Sequence, residues 1–140
     1  MTFYSNSERE TEAVGSQLAE KLSPGSVVAL FGDLGAGKTA FVRGLARGLG
    51  LEARVSSPTF TIVNEYLGKT PLFHFDMYRI GGSDELFDIG WDDYLYRGGV
   101  CAVEWSENIA DALPSDTVRV EISKAGDTSR IIDIRFPEDA

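Results

Sequence analysis

Cysteine occurs once in these 140 residues, at Cys101, and histidine once, at His74. A lone cysteine forms no internal disulfide, which argues against a disulfide-stapled secreted scaffold and fits a reducing cytoplasm. No apolar run approaches the length of a membrane span. The opening Met1-Thr2-Phe3-Tyr4-Ser5 has neither a basic start nor an apolar signal core, so nothing points to export. Basic residues are also scarce: 13 Lys and Arg stand against 22 Asp and Glu, for a net charge of −9. Such a chain repels a phosphate backbone over most of its surface, which disfavours stand-alone nucleic-acid binding. A protein partner fits better, or a small anion held in one local basic pocket.

What is abundant is glycine, and it is concentrated usefully. Gly32-Asp33-Leu34-Gly35-Ala36-Gly37-Lys38-Thr39 matches G-x-x-x-x-G-K-[ST], the phosphate-binding loop of P-loop nucleotide hydrolases. That loop needs a strand before it and a helix after it. Val27-Val28-Ala29-Leu30-Phe31 is an unbroken apolar run opened by the turn signal Pro24-Gly25. From Thr39 the spacing turns helical, with Phe41, Val42, Leu45, Ala46 and Leu49 on one face and Gly50 at the C′ position. A glycine-rich turn that binds nothing would not require those flanks.

The residue types follow from polyphosphate chemistry. The backbone must approach closely and turn its N–H groups inward, which side chains would obstruct. The helix beginning near Lys38 adds its N-terminal dipole and free N–H groups. Lys38 is expected to reach the β- and γ-phosphates, and Thr39 to place its hydroxyl on Mg²⁺, a hard cation that takes oxygen ligands.

Along the chain, Ser5-Asn6-Ser7 caps a helix opened by Glu8-Arg9-Glu10, whose Val14, Leu18 and Leu22 read as packing residues. Residues 59–66 and 72–78 read as strands of an antiparallel hairpin around a turn at 68–71. Residues 81–99 are the least regular, with short helices beginning near Ser83 and Trp91. Val100-Cys101-Ala102-Val103-Glu104 is a second fully apolar strand ending in an acid, and residues 106–113 read as a short helix before Pro114. Residues 118–123 and 130–136 alternate at period two around Ala125-Gly126-Asp127, as a closing hairpin does. No internal repeat, low-complexity tract or linker interrupts the pattern, so one domain is expected over residues 1–140. It is an α/β, P-loop NTPase-like fold of three layers, with a mixed central sheet and the P-loop strand at its centre.

P-loop enzymes hold or orient Mg²⁺ with an acid at the end of a buried apolar strand. Glu104 and Asp76 both stand in that position, one for the metal and one for the attacking water. Strand alternation puts His74 on the face of Asp76, where a structural hydrogen bond is expected, and Cys101 reads as core. Ser56-Ser57-Pro58-Thr59 supplies hydroxyls where switch segments that sense a γ-phosphate lie. A GTPase reading does poorly. No Asp-x-x-Gly occurs, and the nearest approach to Asn-Lys-x-Asp is Asn108-Ile109-Ala110-Asp111. ATP is the default nucleotide.

These segments converge on one family. Gly-Asp-Leu-Gly-Ala-Gly-Lys-Thr at 32–39, Ser-Pro-Thr-Phe at 57–60, His-Phe-Asp-Met-Tyr-Arg at 74–79 and Val-Glu-Trp at 103–105 fall in one order and spacing. In them the chain resembles the bacterial TsaE family over nearly its whole length. The resemblance implies a small ATPase of tRNA threonylcarbamoyladenosine biosynthesis that binds the TsaD–TsaB pair, whose hydrolysis of ATP resets that pair between turnovers. TsaD transfers the threonylcarbamoyl group to the adenosine beside the anticodon in tRNAs reading codons that start with A, so tRNA would be met only through the complex. By the same resemblance Gly35, Ala36, Gly37 and Lys38 hold the phosphates, and Thr39 and Glu104 serve Mg²⁺. Asp76 orients metal or water, and Thr11 and Arg130 contact nucleotide. Trp105 is expected to be structural or to stand beside the site. Ala40 belongs to the nucleotide-binding stretch but departs from the family pattern, where a second threonine is expected. A hydroxyl there touches the α-phosphate in P-loop proteins, so its loss is expected to weaken nucleotide binding and spare the metal site.

Two other classes use the same loop. A stand-alone small-molecule kinase would need an acceptor pocket and mobile arginines, for which the candidates are Arg79, Arg97 and Arg130, and no lid-sized insertion occurs. A nucleotide-sensing module would share every residue with a weak ATPase, and only measured turnover separates those two.

Overall fold

The computed structural model describes residues 1–32, 37–52, 55 and 62–137. Its centre is a seven-stranded sheet in the order β1-β7-β6-β2-β5-β4-β3. The strands are β1 (Thr2–Ser5), β2 (Val27–Phe31), β3 (Val63–Tyr66), β4 (Leu72–Asp76), β5 (Val100–Glu104), β6 (Val118–Lys124) and β7 (Arg130–Arg135). β2 lies fourth of the seven and pairs in parallel with both β5 and β6, while β5 pairs in parallel with β4. The β3–β4, β6–β7 and β1–β7 pairs are antiparallel, which makes the sheet mixed.

Parallel strands are covered on both faces, and β2, β4 and β5 carry the near-continuous apolar sequence this demands. On one face Val28, Leu30, Leu72, Val100 and Ala102 pack with Val14, Leu18, Phe41, Val42 and Leu45 from helices α1 (Glu8–Ala19) and α2 (Lys38–Gly48). On the other, Val27, Phe73, Phe75, Cys101 and Val103 pack with Leu86, Trp91 and Ile109. Those three come from α3 (Leu86–Ile89), α4 (Trp91–Leu95) and a 3-10 helix, Ser106–Ala112. Helices on both faces of a mixed sheet make the three-layer α/β fold expected from the pattern.

Local chemistry sets the helix ends. The Ser7 side chain accepts from the Glu10 amide at 3.1 Å, and the Glu10 carboxylate accepts from the Asn6 amide at 2.9 Å. Such a cap contributes about 1 kcal/mol. α2 closes on Gly50 at φ +77°, with the amides of Gly50 and Leu51 donating to the carbonyls of Arg47 and Ala46. That left-handed position is the one a glycine accepts without steric cost.

Three features differ from the sequence reading. The strand β1 was not expected. The short helix read at 106–113 is present over 106–112, in 3-10 form and with a kink at Ile109 (φ −131°, ψ 28°). The expected strand over 59–66 begins at Val63 among the described residues, and 59–61 lie outside them.

Candidate functional site

Parallel strands direct their carboxyl ends to one edge of a sheet, and open α/β sheets bind ligands there. Asp76 ends β4 and Glu104 ends β5, and the two are register partners. Both lie on the sheet face covered by α1 and α2, because Leu72 and His74 precede Asp76 at period two, as Val100 and Ala102 precede Glu104. α2 begins above that edge with Gly37 as its N-cap at φ +105°, again a left-handed position. Lys38 and Thr39 therefore project from the first turn of α2 over the two acids.

The contacts are specific. The Thr39 hydroxyl donates to Glu104 Oε2 at 3.2 Å. His74 Nε2 lies 2.5 Å from the same Oε2. The Lys38 ammonium donates to the Gly32 carbonyl at 2.7 Å and sits 4.1 Å from the centre of the Trp105 ring. Lys38, His74 and Glu104 are all buried. Trp105 is the one non-glycine residue with positive φ among the described residues, at φ 59° and ψ 41°. The Tyr78 ring packs against it with centres 5.0 Å apart and planes tilted by 59°, and the Tyr78 amide donates to Asp76 Oδ1 at 2.9 Å.

Burial pushes the Asp76 carboxyl above the usual carboxylate range, and the Glu104 charge adds to it. The Tyr78 amide, His74 and Lys38 act against that rise. Two acids and one hydroxyl beside the first turn of α2 form an all-oxygen donor set, the kind Mg²⁺ takes. Among the described residues no group of three or more His, Cys, Asp and Glu forms a metal cage. Mg²⁺ characteristically keeps waters and substrate phosphates as ligands and needs only one or two carboxylates.

Beside this cluster, Thr11, Gly37, Ala40 and Arg130 line one cavity of about 560 Å³, together with Asn6 and Asp127. Thr11 comes from α1, Gly37 and Ala40 from the start of α2, and Arg130 from β7. The Thr11 hydroxyl is shared with Ser5 at 2.7 Å. The Arg130 guanidinium donates to the Ser129 and Gly126 carbonyls at 2.9 and 3.1 Å. The structure thus brings Lys38, Thr39, Asp76 and Glu104 together at the strand ends, and Thr11, Gly37, Ala40 and Arg130 around the adjoining cavity. Gly35, Ala36 and the hydroxyl segment 56–59 lie outside the described residues.

Sequence reasoning did not find the Lys38–Trp105 contact, the Ser5–Thr11 bond or the place of Asn6 in the cavity. The signals were the Glu-Trp pair directly after an apolar strand and the hydroxyl-rich start of the chain. Among the described residues no helix is long and apolar enough to cross a membrane.

A family model described as "Threonylcarbamoyl adenosine biosynthesis protein TsaE" matches residues 5–132. The "tRNA threonylcarbamoyladenosine biosynthesis protein TsaE" of Bacillus subtilis is 48% identical over 124 residues, spanning 88% of this chain and 77% of the relative. The protein of the same description from Treponema pallidum is 42% identical over 134 residues, spanning 96% and 99%. The crystal structure of Bacillus subtilis YdiB superposes with a TM-score of 0.80 at 40% identity, covering 94% of this chain and 82% of that one.

Proposed function

This chain belongs to the TsaE family of tRNA threonylcarbamoyladenosine biosynthesis, and on that premise we propose that it is a Mg²⁺-dependent accessory ATPase acting on the TsaD–TsaB pair. Its target process is the threonylcarbamoyl modification of the adenosine beside the anticodon in tRNAs reading codons that start with A. It works in the cytoplasm as a single ATPase domain over residues 1–140 and meets tRNA only through the complex. One observation carries this reading. The hydroxyl of the phosphate-loop threonine, Thr39, lies 3.2 Å from the carboxylate that ends the neighbouring apolar strand, Glu104.

Phosphoryl transfer to water is mostly positioning and electrostatics. Lys38 leaves the Gly32 carbonyl to neutralise the β- and γ-phosphates of ATP, which Gly35, Ala36 and Gly37 hold with it. Thr39 and Glu104 would hold Mg²⁺, which would supply positive charge to offset that developing on the phosphates. Asp76 accepts a hydrogen bond from the attacking water and orients it. Thr11, Ala40 and Arg130 border the rest of the nucleotide in the adjoining cavity. Turnover is slow until the partner completes the site.

The test is steady-state ATP hydrolysis with Mg²⁺, alone and with the TsaD–TsaB pair. Slow turnover that rises with the pair is the expected result. No response to the pair, with turnover induced by a small-molecule acceptor, would overturn it. Lys38→Ala is expected to abolish hydrolysis while leaving the circular dichroism spectrum unchanged.

A further inference from the structure

We infer that His74 is the positioning residue for the metal-site carboxylate: its Nε2–H holds Glu104 Oε2 and leaves Oε1 as the oxygen turned to cation or water. This rests on the reading of Glu104 as the Mg²⁺ acid.

The geometry comes from the sheet. β4 and β5 are parallel, with His74 opposite Ala102 and Asp76 opposite Glu104, so His74 and Glu104 are diagonal neighbours on one face. The imidazole is fully buried and Glu104 is 5% exposed. A carboxylate at a strand end can rotate about three side-chain bonds, and an unanchored one presents its oxygens in many directions. Here Oε2 receives both the Thr39 hydroxyl and His74 Nε2, at 3.2 and 2.5 Å. Those contacts fix the plane of the group before any ligand arrives. Carboxylates that serve metals are held in this way by second hydrogen bonds, and removing such a support costs roughly 10- to 100-fold in metal affinity.

The ring also shows which nitrogen donates. Nδ1 is buried with no hydrogen-bond partner among the described residues, so a hydrogen there would be left unpaired. On Nε2 the hydrogen is donated to Glu104 Oε2, whereas on Nδ1 it would leave the Nε2 lone pair facing that carboxylate oxygen at 2.5 Å. His74 therefore acts through Glu104 and touches no reacting atom.

Because His74 is the only histidine, its two nitrogens give the only imidazole signals in the chain. A long-range ¹H–¹⁵N correlation spectrum of the nucleotide-free protein is expected to show Nε2 carrying hydrogen. A bare Nε2 with the hydrogen on Nδ1 would overturn the inference. The second readout is ADP affinity by calorimetry, with Mg²⁺ and with EDTA, for the native chain, His74→Leu and His74→Gln. His74→Leu is expected to lose roughly 10- to 100-fold of the Mg²⁺ enhancement. His74→Gln, whose amide nitrogen reaches the Nε2 position, is expected to restore most of it. An unchanged enhancement in a folded His74→Leu sinks the positioning role alone. A native chain with no Mg²⁺ enhancement sinks the metal reading, and this inference with it. If His74→Leu fails to fold, His74→Gln and the spectrum decide.

Discussion

Asp76 and Glu104 are register partners on adjacent parallel strands, so two carboxylates stand side by side at the carboxyl edge of the sheet. Burial first, and the Glu104 charge after it, raise the Asp76 carboxyl above its ordinary range. A folded-state value above the unfolded one means that the stability tied to the protonated form is lost as pH rises through the folded value. Ionised Asp76 is therefore kept at a cost to the fold. Asp76→Asn removes that cost and keeps an oxygen to accept from the Tyr78 amide. Its Tm is expected to exceed the native one, by more at pH 8 than at pH 4, while ATP hydrolysis falls roughly 10- to 100-fold, as when a group supporting a metal site is lost. A variant that loses activity without the pH-dependent gain would place Asp76 outside the strained pair.

The second prediction concerns Ala40, which lines the cavity between Thr11 and Arg130 and is buried. Its methyl stands where a threonine would offer a hydroxyl. A hydrogen bond to a charged partner is worth about 1.5–3 kcal/mol. Ala40→Thr is expected to tighten ADP binding by roughly tenfold, the lower end of that range. The Mg²⁺ enhancement should stay constant, since Thr39 and Glu104 are untouched. Calorimetry with and without EDTA reads both quantities.

A third expectation follows from the crossing of α1 and α2. A Cβ at Gly44 would lie 2.0 Å from the Glu12 carbonyl oxygen, and one at Gly15 would lie 2.3 Å from that of Phe41. The two helices therefore meet backbone to backbone, which is what brings Thr11 to the nucleotide-side cavity. Gly44→Ala must push α1 off α2, at about 1–3 kcal/mol, the usual range for overpacking. It should lower Tm and weaken ADP binding together, whereas Ser7→Ala should cost about 1 kcal/mol of stability without moving the crossing.

Most of the architecture was legible because it rests on local pattern. The apolar run 27–31, the glycine loop and the period-two hairpins each announce themselves within a few residues. β1 did not, because its sheet partner, β7, lies some 130 positions away. The short helix after Trp105 was legible but its 3-10 form was not, because side-chain periodicity does not distinguish a tight turn from an α-turn over seven residues. At the site, the acids and the loop lysine were legible as strand-end and motif residues. The His74–Glu104 bond was not, because it depends on the β4–β5 register, which no single segment encodes.

Trp105 gives the last prediction. A tryptophan in the left-handed region is strained, and such strain persists only where the surroundings impose it. Here it aims the indole at the Lys38 ammonium, 4.1 Å from the ring centre, while the Tyr78 ring packs against the same indole. A cation over an indole face is attracted by about 0.5–2 kcal/mol. With the Gly32 carbonyl, this keeps the buried lysine paired before phosphate arrives. Polyphosphate competes for the same ammonium, so ADP binding should draw Lys38 off the ring and change Trp105 emission. The other tryptophan, Trp91, is buried in an edge contact with Phe75 and is not the ring beside Lys38, so it should not respond. Titrating ADP while following fluorescence is expected to give a saturable change in the native chain and none in Trp105→Phe. An equal change in that variant would mean that the signal comes from Trp91 and that Lys38 does not leave the indole.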